Sequence, residues 1–480
     1  MSIPDPREPA RAETTALEKW VLFHSCSLLV FTAWAFGGQA PWVRQVIAGW
    51  GALGVALFVI ACLTRDRARF DTRYPALRLL WPLWLYDLLV IVSCFNPGFT
   101  EVVRGSQSSY VMADPIRWLP SAALPALAAH ELWQFNVIVL SCFNLWLVLN
   151  TRQLVRFTLY VLAGNAVVLA VFGTFQKLVR AKGLWLGLVP SPNPKFFSTF
   201  IYHNHWGAFT LMNTAVCLAL VFHLLRRGGQ RDIWHSPVMS SVLVTLLLAA
   251  SVPLSASRSC TALASLLLTG AFGHFLLRLI RRRREQRKSI AVPVAAIVLA
   301  AGLAVAAIGY LSRDVIAQRL QLTSEQLAHI AKEDTLNSRL TLYRDTWRMA
   351  AERPWFGWGL ESYAYVFRVF NTQRAAELWI WIPFYAEAHN DWLQSLAEVG
   401  FVGTGLLGLL LGVPLWQVPW RRVTSLIPRY LLLGNIIVLL YAWVEFPFAN
   451  PAVVLTFFAT FYCAIRYATL DLPAPAETKP

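Results

Sequence analysis

The stretch "FYAEAHNDWLQSLAEVGFVG", Phe384 to Gly403, sets His389, Asn390 and Asp391 directly before an apolar run that continues to Leu415. A helix start needs one side-chain oxygen there, from Asn390 or Asp391, to accept a backbone N–H. His389 is surplus to that need, and a neutral imidazole, with an ordinary pKa of about 6.5, can take a proton from a hydroxyl near neutral pH. In "LSASRSCTA", Leu254 to Ala262, a short turn between two apolar runs surrounds Arg258 with Ser255, Ser257, Ser259 and Thr261. A guanidinium beside the N-terminus of the helix that begins there makes an anion site suited to phosphate oxygens. The alternative is that Arg258 extends to lipid headgroups. "FIYHNHWGAF" places His203, Asn204 and His205 at another helix start. A lone histidine is more often structural than catalytic, and positions i and i+2 do not face each other on a helix.

A third arginine-bearing segment is "NSRLTLYRDTWRMAAERPWFGWG", Asn337 to Gly359. Asn337 or Ser338 is expected to cap a helix whose Leu340, Tyr343, Trp347 and Ala350 share one apolar face, with Pro354 and Gly357 ending it. Arg339 lies on its first turn with no acidic residue three or four positions away. Arg344 and Arg348 are one turn apart, and Arg348 can pair with Glu352. Arg339 is therefore the better placed to meet a ligand. A metal set of Glu387, His389 and Asp391 would need an extended strand. The expected helix start inside that triplet, and the absence of any D-x-D pair for a diphosphate-bound cation, argue against it.

The elements that must position these residues follow from composition. The chain has 480 residues, 57% hydrophobic and only 14% charged, with 21 Trp and 29 Phe, and a mean hydropathy of +0.50. These values define an all-α, polytopic integral membrane protein. Twelve apolar spans are expected: Trp20 to Phe36, Val43 to Leu63, Leu77 to Cys94, Leu132 to Leu149, Leu154 to Phe175, Trp206 to Leu225, Val238 to Leu254, Thr261 to Leu277, Ile290 to Leu311, Trp392 to Leu415, Ile427 to Phe446 and Ala452 to Thr469. The organisation is thus a cytoplasmic arm (1–19), nine spans (20–311), a large external loop with amphipathic helices carrying part of the site (312–391), three spans (392–469) and a disordered cytoplasmic tail (470–480).

The net charge of +16 is dispersed among loops between spans, which excludes a nucleic-acid-binding module. Basic loops such as "TRDRARFDTRYPALR", "NTRQLVR" and "RLIRRRREQRK" follow even-numbered spans, so the positive-inside rule puts them and both termini in the cytoplasm. The segment Ser312 to Asp391 is then external, its nine Lys and Arg offset by ten Asp and Glu. The loop from Gln176 to Trp206, with Lys177, Arg180, Lys182 and Lys195, fits that topology least well. Seven cysteines without C-x-x-C spacing read as small core residues rather than a disulfide or zinc framework.

The order "YHNHWGAF", "SASRS", "NSRLTLYRDTWRMAAERPWFGWGLESY", "HNDWLQSLAEVGFVGTGLLGLL" and "EFPFANPA" resembles the O-antigen ligase and polymerase superfamily of bacterial inner membranes, over Phe197 to Ala452. The resemblance implies a GT-C-like membrane glycosyltransferase that takes a glycan from undecaprenyl diphosphate at the periplasmic face and moves it to a hydroxyl of a glycolipid or glycan acceptor. It implies membrane lipids as surroundings and neither metal nor cofactor. Carried onto this sequence, it implies that Arg258 and Arg339 hold the donor diphosphate and that His389 activates the acceptor hydroxyl. Arg344, Asn204, His203 and Asn390 complete the expected substrate-binding set. Cys260 departs from the glycine usual after the arginine and serine.

A polysaccharide polymerase and a protein O-oligosaccharyltransferase share the donor and differ in acceptor. A glycan or lipid transporter would need polar residues along several spans at mid-membrane depth. Asn144, Asn165 and Asn213 stand isolated instead, and the charges gather at the interfaces.

Overall fold

The computed structural model describes residues 14–64, 78–104, 107–227, 237–292, 335–372 and 384–471, with scattered positions between 294 and 302. The chain divides into a larger unit, formed from Met1–Leu263, Thr346–Phe370 and Phe384–Pro480, and a smaller one from Ala264–Asp345 and Asn371–Pro383. The helices in chain order are α1 (Ala16–Trp34), α2 (Pro41–Leu63), α3 (Trp81–Cys94), α4 (Pro125–Val148), α5 (Arg152–Leu178), α6 (His203–Arg227), α7 (Pro237–Leu254), α8 (Arg258–Glu285), α9 (Thr335–Glu352), α10 (Tyr363–Phe370), α11 (Asp391–Trp416), α12 (Ile427–Tyr441) and α13 (Pro451–Leu470). Among the described residues eight, namely α2, α4 to α8, α11 and α13, are long and apolar enough to cross a membrane. The protein is an all-α polytopic membrane protein; the count of twelve stays an expectation. Most of the expected span Ile290 to Leu311, most of the external loop before Thr335, the N-terminal arm as far as residue 13 and the tail from 472 lie outside the described residues.

Local chemistry sets the helix starts. Thr15, Thr151, Asn390 and Asn450 each accept a first-turn N–H, and α2, α4 and α13 open on proline, whose missing N–H costs nothing in a first turn. α12 stops at Tyr441, short of the expected Phe446, because the chain turns there into a 3-10 turn at Pro447–Ala449. Within the larger unit, α6 and α13 have 83% and 78% of their apolar windows buried, against 28% for α2. The first two therefore form the core, while α2 keeps most of its apolar surface for lipid. α6 packs against α7, α12 and α13, and α4 packs against α2 and α13. A polar pair inside is satisfied: the Thr460 hydroxyl donates to Asn435 Oδ1 at 2.7 Å, and Asn435 Nδ2 donates to the Phe457 carbonyl at 3.1 Å.

Three features depart from the expectations. An antiparallel hairpin, β1 (Phe99–Arg104) with β2 (Gln107–Met112), joins α3 to α4. α9 begins at Thr335, before Asn337 and Ser338, so neither of these is its cap. Its buried stripe runs through Leu342, Asp345, Thr346, Met349 and Ala350, whereas Leu340 and Trp347 are exposed. Polar members of that stripe have partners within their own units: in the smaller, Asp345 Oδ2 accepts from the Thr372 N–H at 2.8 Å and hydroxyl at 2.7 Å, and in the larger, Thr346 bonds the Tyr363 hydroxyl at 2.8 Å. A hydrophobicity pattern cannot see a buried face made partly of polar groups that find hydrogen-bond partners.

The segment "RPWFGWG" after α9 is stitched into α11. Trp358 and Gly359 N–H groups donate to the Ala397 and Glu398 carbonyls at 3.0 and 2.7 Å, and Phe401 and Val402 N–H groups donate to the Pro354 and Trp355 carbonyls at 2.8 and 3.1 Å. The exchange is possible because α11 is interrupted at Gly400, with φ 65° and ψ −172°, a conformation open essentially to glycine alone. A Cβ at Gly400 would lie 2.4 Å from the Trp355 carbonyl carbon and oxygen.

Candidate active site

The site lies within the larger unit, where four chain segments converge: residues 202–205 at the start of α6, the turn 255–258 between α7 and α8, the loop 387–390 before α11, and residues 445–446 after α12. His389 has φ 52°, a left-handed conformation that histidine adopts more readily than most residues. Asn390 behind it is extended and caps α11, its Oδ1 accepting the Leu393 N–H at 3.0 Å. Gln394, on the first turn of α11, accepts the Ala388 N–H at 2.9 Å and donates to Glu387 Oε2 at 2.8 Å. Burial, then the nearby Glu361 carboxylate, pushes the Glu387 carboxyl up to about 7. The loop is thus pinned at both sides of His389.

His389 is half-buried, and its Nδ1–H donates to Glu445 Oε2 at 3.3 Å. That assignment places the ring proton on Nδ1 and makes Nε2 the acceptor nitrogen of the neutral ring. The same carboxylate oxygen accepts from the Tyr202 hydroxyl over a long 3.4 Å. Tyr202 in turn accepts from Asn204 Nδ2 at 2.7 Å, and Asn204 Oδ1 accepts from the Ser257 hydroxyl at 2.7 Å. A continuous polar relay therefore joins His389 to the residue preceding Arg258. Phe446 holds it from inside: its ring stacks on Tyr202 at 5.3 Å and receives His389 and His205 edge-on at 4.7 and 5.2 Å. His205 is fixed by Nε2 to the Phe446 carbonyl at 3.2 Å.

Arg258 is the first residue of α8 and is exposed. The turn that delivers it passes through Ala256 with φ 70°, a strained conformation for alanine, with a cost of roughly 1–2 kcal/mol. Such strain next to a charged residue motivates a functional reading. Cys260 fits here because α6 has a glycine opposite: a Cβ at Gly207 would lie 2.5 Å from Cys260 Sγ. The side chain that departs from the family pattern is accommodated by a missing one.

Among the residues named from sequence, His389, Asn390, His203, Asn204 and Arg258 all lie in the larger unit, and the relay links His389, Asn204 and the Arg258 turn. Asn204 is committed to Tyr202 and Ser257, and Asn390 to its cap. His203 is buried, with its N–H on the Lys195 carbonyl at 3.0 Å. Arg339 and Arg344 are exposed on α9 and belong to the smaller unit. Glu445 and Tyr202 were assigned no role from sequence, and Ser257 only a place in the anion-binding turn around Arg258. Glu445 did carry a signal, since an acidic residue at the end of an apolar span needs a partner. Among the described residues no three His, Cys, Asp or Glu side chains group as a metal site.

The larger unit of this multi-pass helical membrane protein thus holds a histidine–carboxylate pair wired to an arginine-bearing turn. Residues 243–408 match the O-antigen ligase family, and this match supports placing the chain with the O-antigen ligase superfamily. The matched segment holds Arg258, Arg339 and His389, while Tyr202, Asn204 and Glu445 lie outside it. Members of this family are membrane glycosyltransferase-like enzymes, and the family implies glycan-lipid substrates in the membrane. No curated protein matches the chain.

Proposed function

We propose that the protein transfers a glycan from undecaprenyl diphosphate to a hydroxyl of a glycolipid or glycan acceptor, at the periplasmic face of a bacterial inner membrane. The observation that carries this reading is the relay from His389 through Glu445, Tyr202, Asn204 and Ser257 to the Arg258 turn. The acceptor oxygen attacks the anomeric carbon, and its proton passes to His389 Nε2. The bond from that carbon to the diphosphate oxygen breaks, and undecaprenyl diphosphate departs with the electron pair. Glu445 holds the ring in the tautomer that leaves Nε2 basic and stabilises the imidazolium that forms. Arg258 meets the departing negative charge, which a planar guanidinium binds through two oxygens at once; for Arg339 the same role rests on the family resemblance alone. Arg344 and His203 stand in the same reading as further substrate contacts, and Asn204 and Asn390 as positioning residues.

The test uses purified enzyme with lipid-linked donor and isolated acceptor. Arg258→Lys keeps the charge but loses the two-pronged geometry, so transfer should fall severely with membrane insertion unchanged. Equal transfer by variant and native protein would return Arg258 to headgroup contact.

A further inference from the structure

The loop before α11 has a second face. While His389 turns to Glu445, Glu387 and Asp391 line a cavity of about 280 Å³ within the larger unit. Its polar wall carries Arg44, Glu131, Glu361, Glu387, Glu398 and Gln134. Arg44 is already engaged, donating to Glu131 Oε2 at 3.2 Å. Gln134 is the telling residue: it is 1% exposed, yet neither its Nε2 nor its Oε1 has a hydrogen-bond partner. A buried amide with both ends unmatched is rare in native structures, and here it lies in a cavity wall, where a ligand can satisfy both ends.

The chemistry of that ligand follows. The amide asks for a donor and an acceptor together, which adjacent ring hydroxyls supply. A phosphate offers acceptors only, and it would face several carboxylates with one engaged arginine. The rest of the wall includes Tyr86, Phe135, Phe457 and Phe458, apolar surface suited to the C–H face of a sugar ring. The volume sits near the lower end of small-molecule sites, about 300–1,000 Å³, which suits one ring rather than an extended glycan. We propose that this cavity is the subsite for a neutral sugar ring of the acceptor, read by Gln134 and the carboxylates around it. The proposal rests on the transfer reading above. It gives the loop 387–391 two jobs: Glu387 and Asp391 face the acceptor sugar, and His389 faces the relay that activates its hydroxyl.

Binding tests this apart from catalysis. Full-length protein in lipid nanodiscs is photolabelled with a diazirine-bearing octyl glucoside, and the labelled peptides are identified by mass spectrometry. Label should concentrate on α4 and α11, fall at least fivefold in Gln134→Leu, fall also in Glu387→Gln, and resist competition by octyl phosphate. Gln134→Met, of similar volume, guards against a packing artefact and should lose label in the same way at unchanged thermal stability. In transfer assays Gln134→Leu should raise the acceptor KM while leaving the donor KM unchanged. Undiminished labelling of the Gln134 variants, or equal competition by octyl phosphate, would overturn the sugar site. Label lost as expected with an unchanged acceptor KM would overturn its assignment to the acceptor while leaving the transfer reading standing.

Discussion

Glu445→Gln removes one charge from the site while keeping the side chain's size. In the native protein Glu445, with its side chain 6% exposed, accepts from His389 Nδ1 at 3.3 Å. A glutamine can still accept the Tyr202 hydroxyl through its amide oxygen, so the ring stack of Tyr202 on Phe446 should survive. What disappears is the charge-assisted bond to an imidazole that becomes positive as the acceptor proton arrives. Hydrogen bonds to charged groups contribute about 1.5–3 kcal/mol, and at about 1.36 kcal/mol per tenfold the loss in kcat should be roughly 10- to 150-fold. The bond geometry is longer than an ideal charged pair, so the lower half of that range is the expectation. The assay is single-turnover transfer from lipid-linked donor, with donor binding measured separately and expected to stay unchanged. A Glu445→Gln enzyme with native kcat, correctly folded, would refute the role assigned to the carboxylate.

Further outcomes follow from the packing. Gly400→Ala forces alanine into a glycine-only conformation, costing on the order of 1–3 kcal/mol before the clash with the Trp355 carbonyl is counted, so thermal unfolding should shift clearly downward; an unchanged midpoint would disprove the stitched geometry. Gly207→Ala should destabilise by collision with Cys260 Sγ, and adding Cys260→Gly should restore stability, a coupling that a double-mutant cycle reads directly. Glu387 has a carboxyl held up to about 7, so the folded state binds its proton more tightly than the unfolded chain. Its contribution to stability is therefore lost as pH rises from its unfolded pKa, about 4.3, through about 7. Glu387→Gln should shrink the fall in thermal stability between pH 5 and pH 8, and an identical pH dependence in both proteins would contradict the burial.

How much of this was legible in sequence depends on how local each feature is. The membrane class, the helix starting at Asp391 and the turn holding Arg258 follow from apolar length and from polar residues at its ends, all within a few positions. Glu445 and Tyr202 were not assigned because their partnership joins residues 243 apart, and that of Glu445 with His389 joins residues 56 apart; no periodicity encodes such a meeting. The interruption at Gly400 was hidden inside an apolar run that reads as an unbroken helix. The buried stripe of α9 departs from the apolar pattern because Asp345 and Thr346, polar by type, are buried there and hydrogen-bonded to Thr372 and Tyr363.

The central claim is that His389 takes the acceptor proton, and the most direct measurement is the rate of transfer by His389→Ala and His389→Gln in purified enzyme. Both should lose transfer by about 10²-fold or more, with protein level and donor binding nearly intact. A His389→Gln enzyme with native activity would contradict the account and leave His389 as a residue that packs against Phe446 at the start of α11.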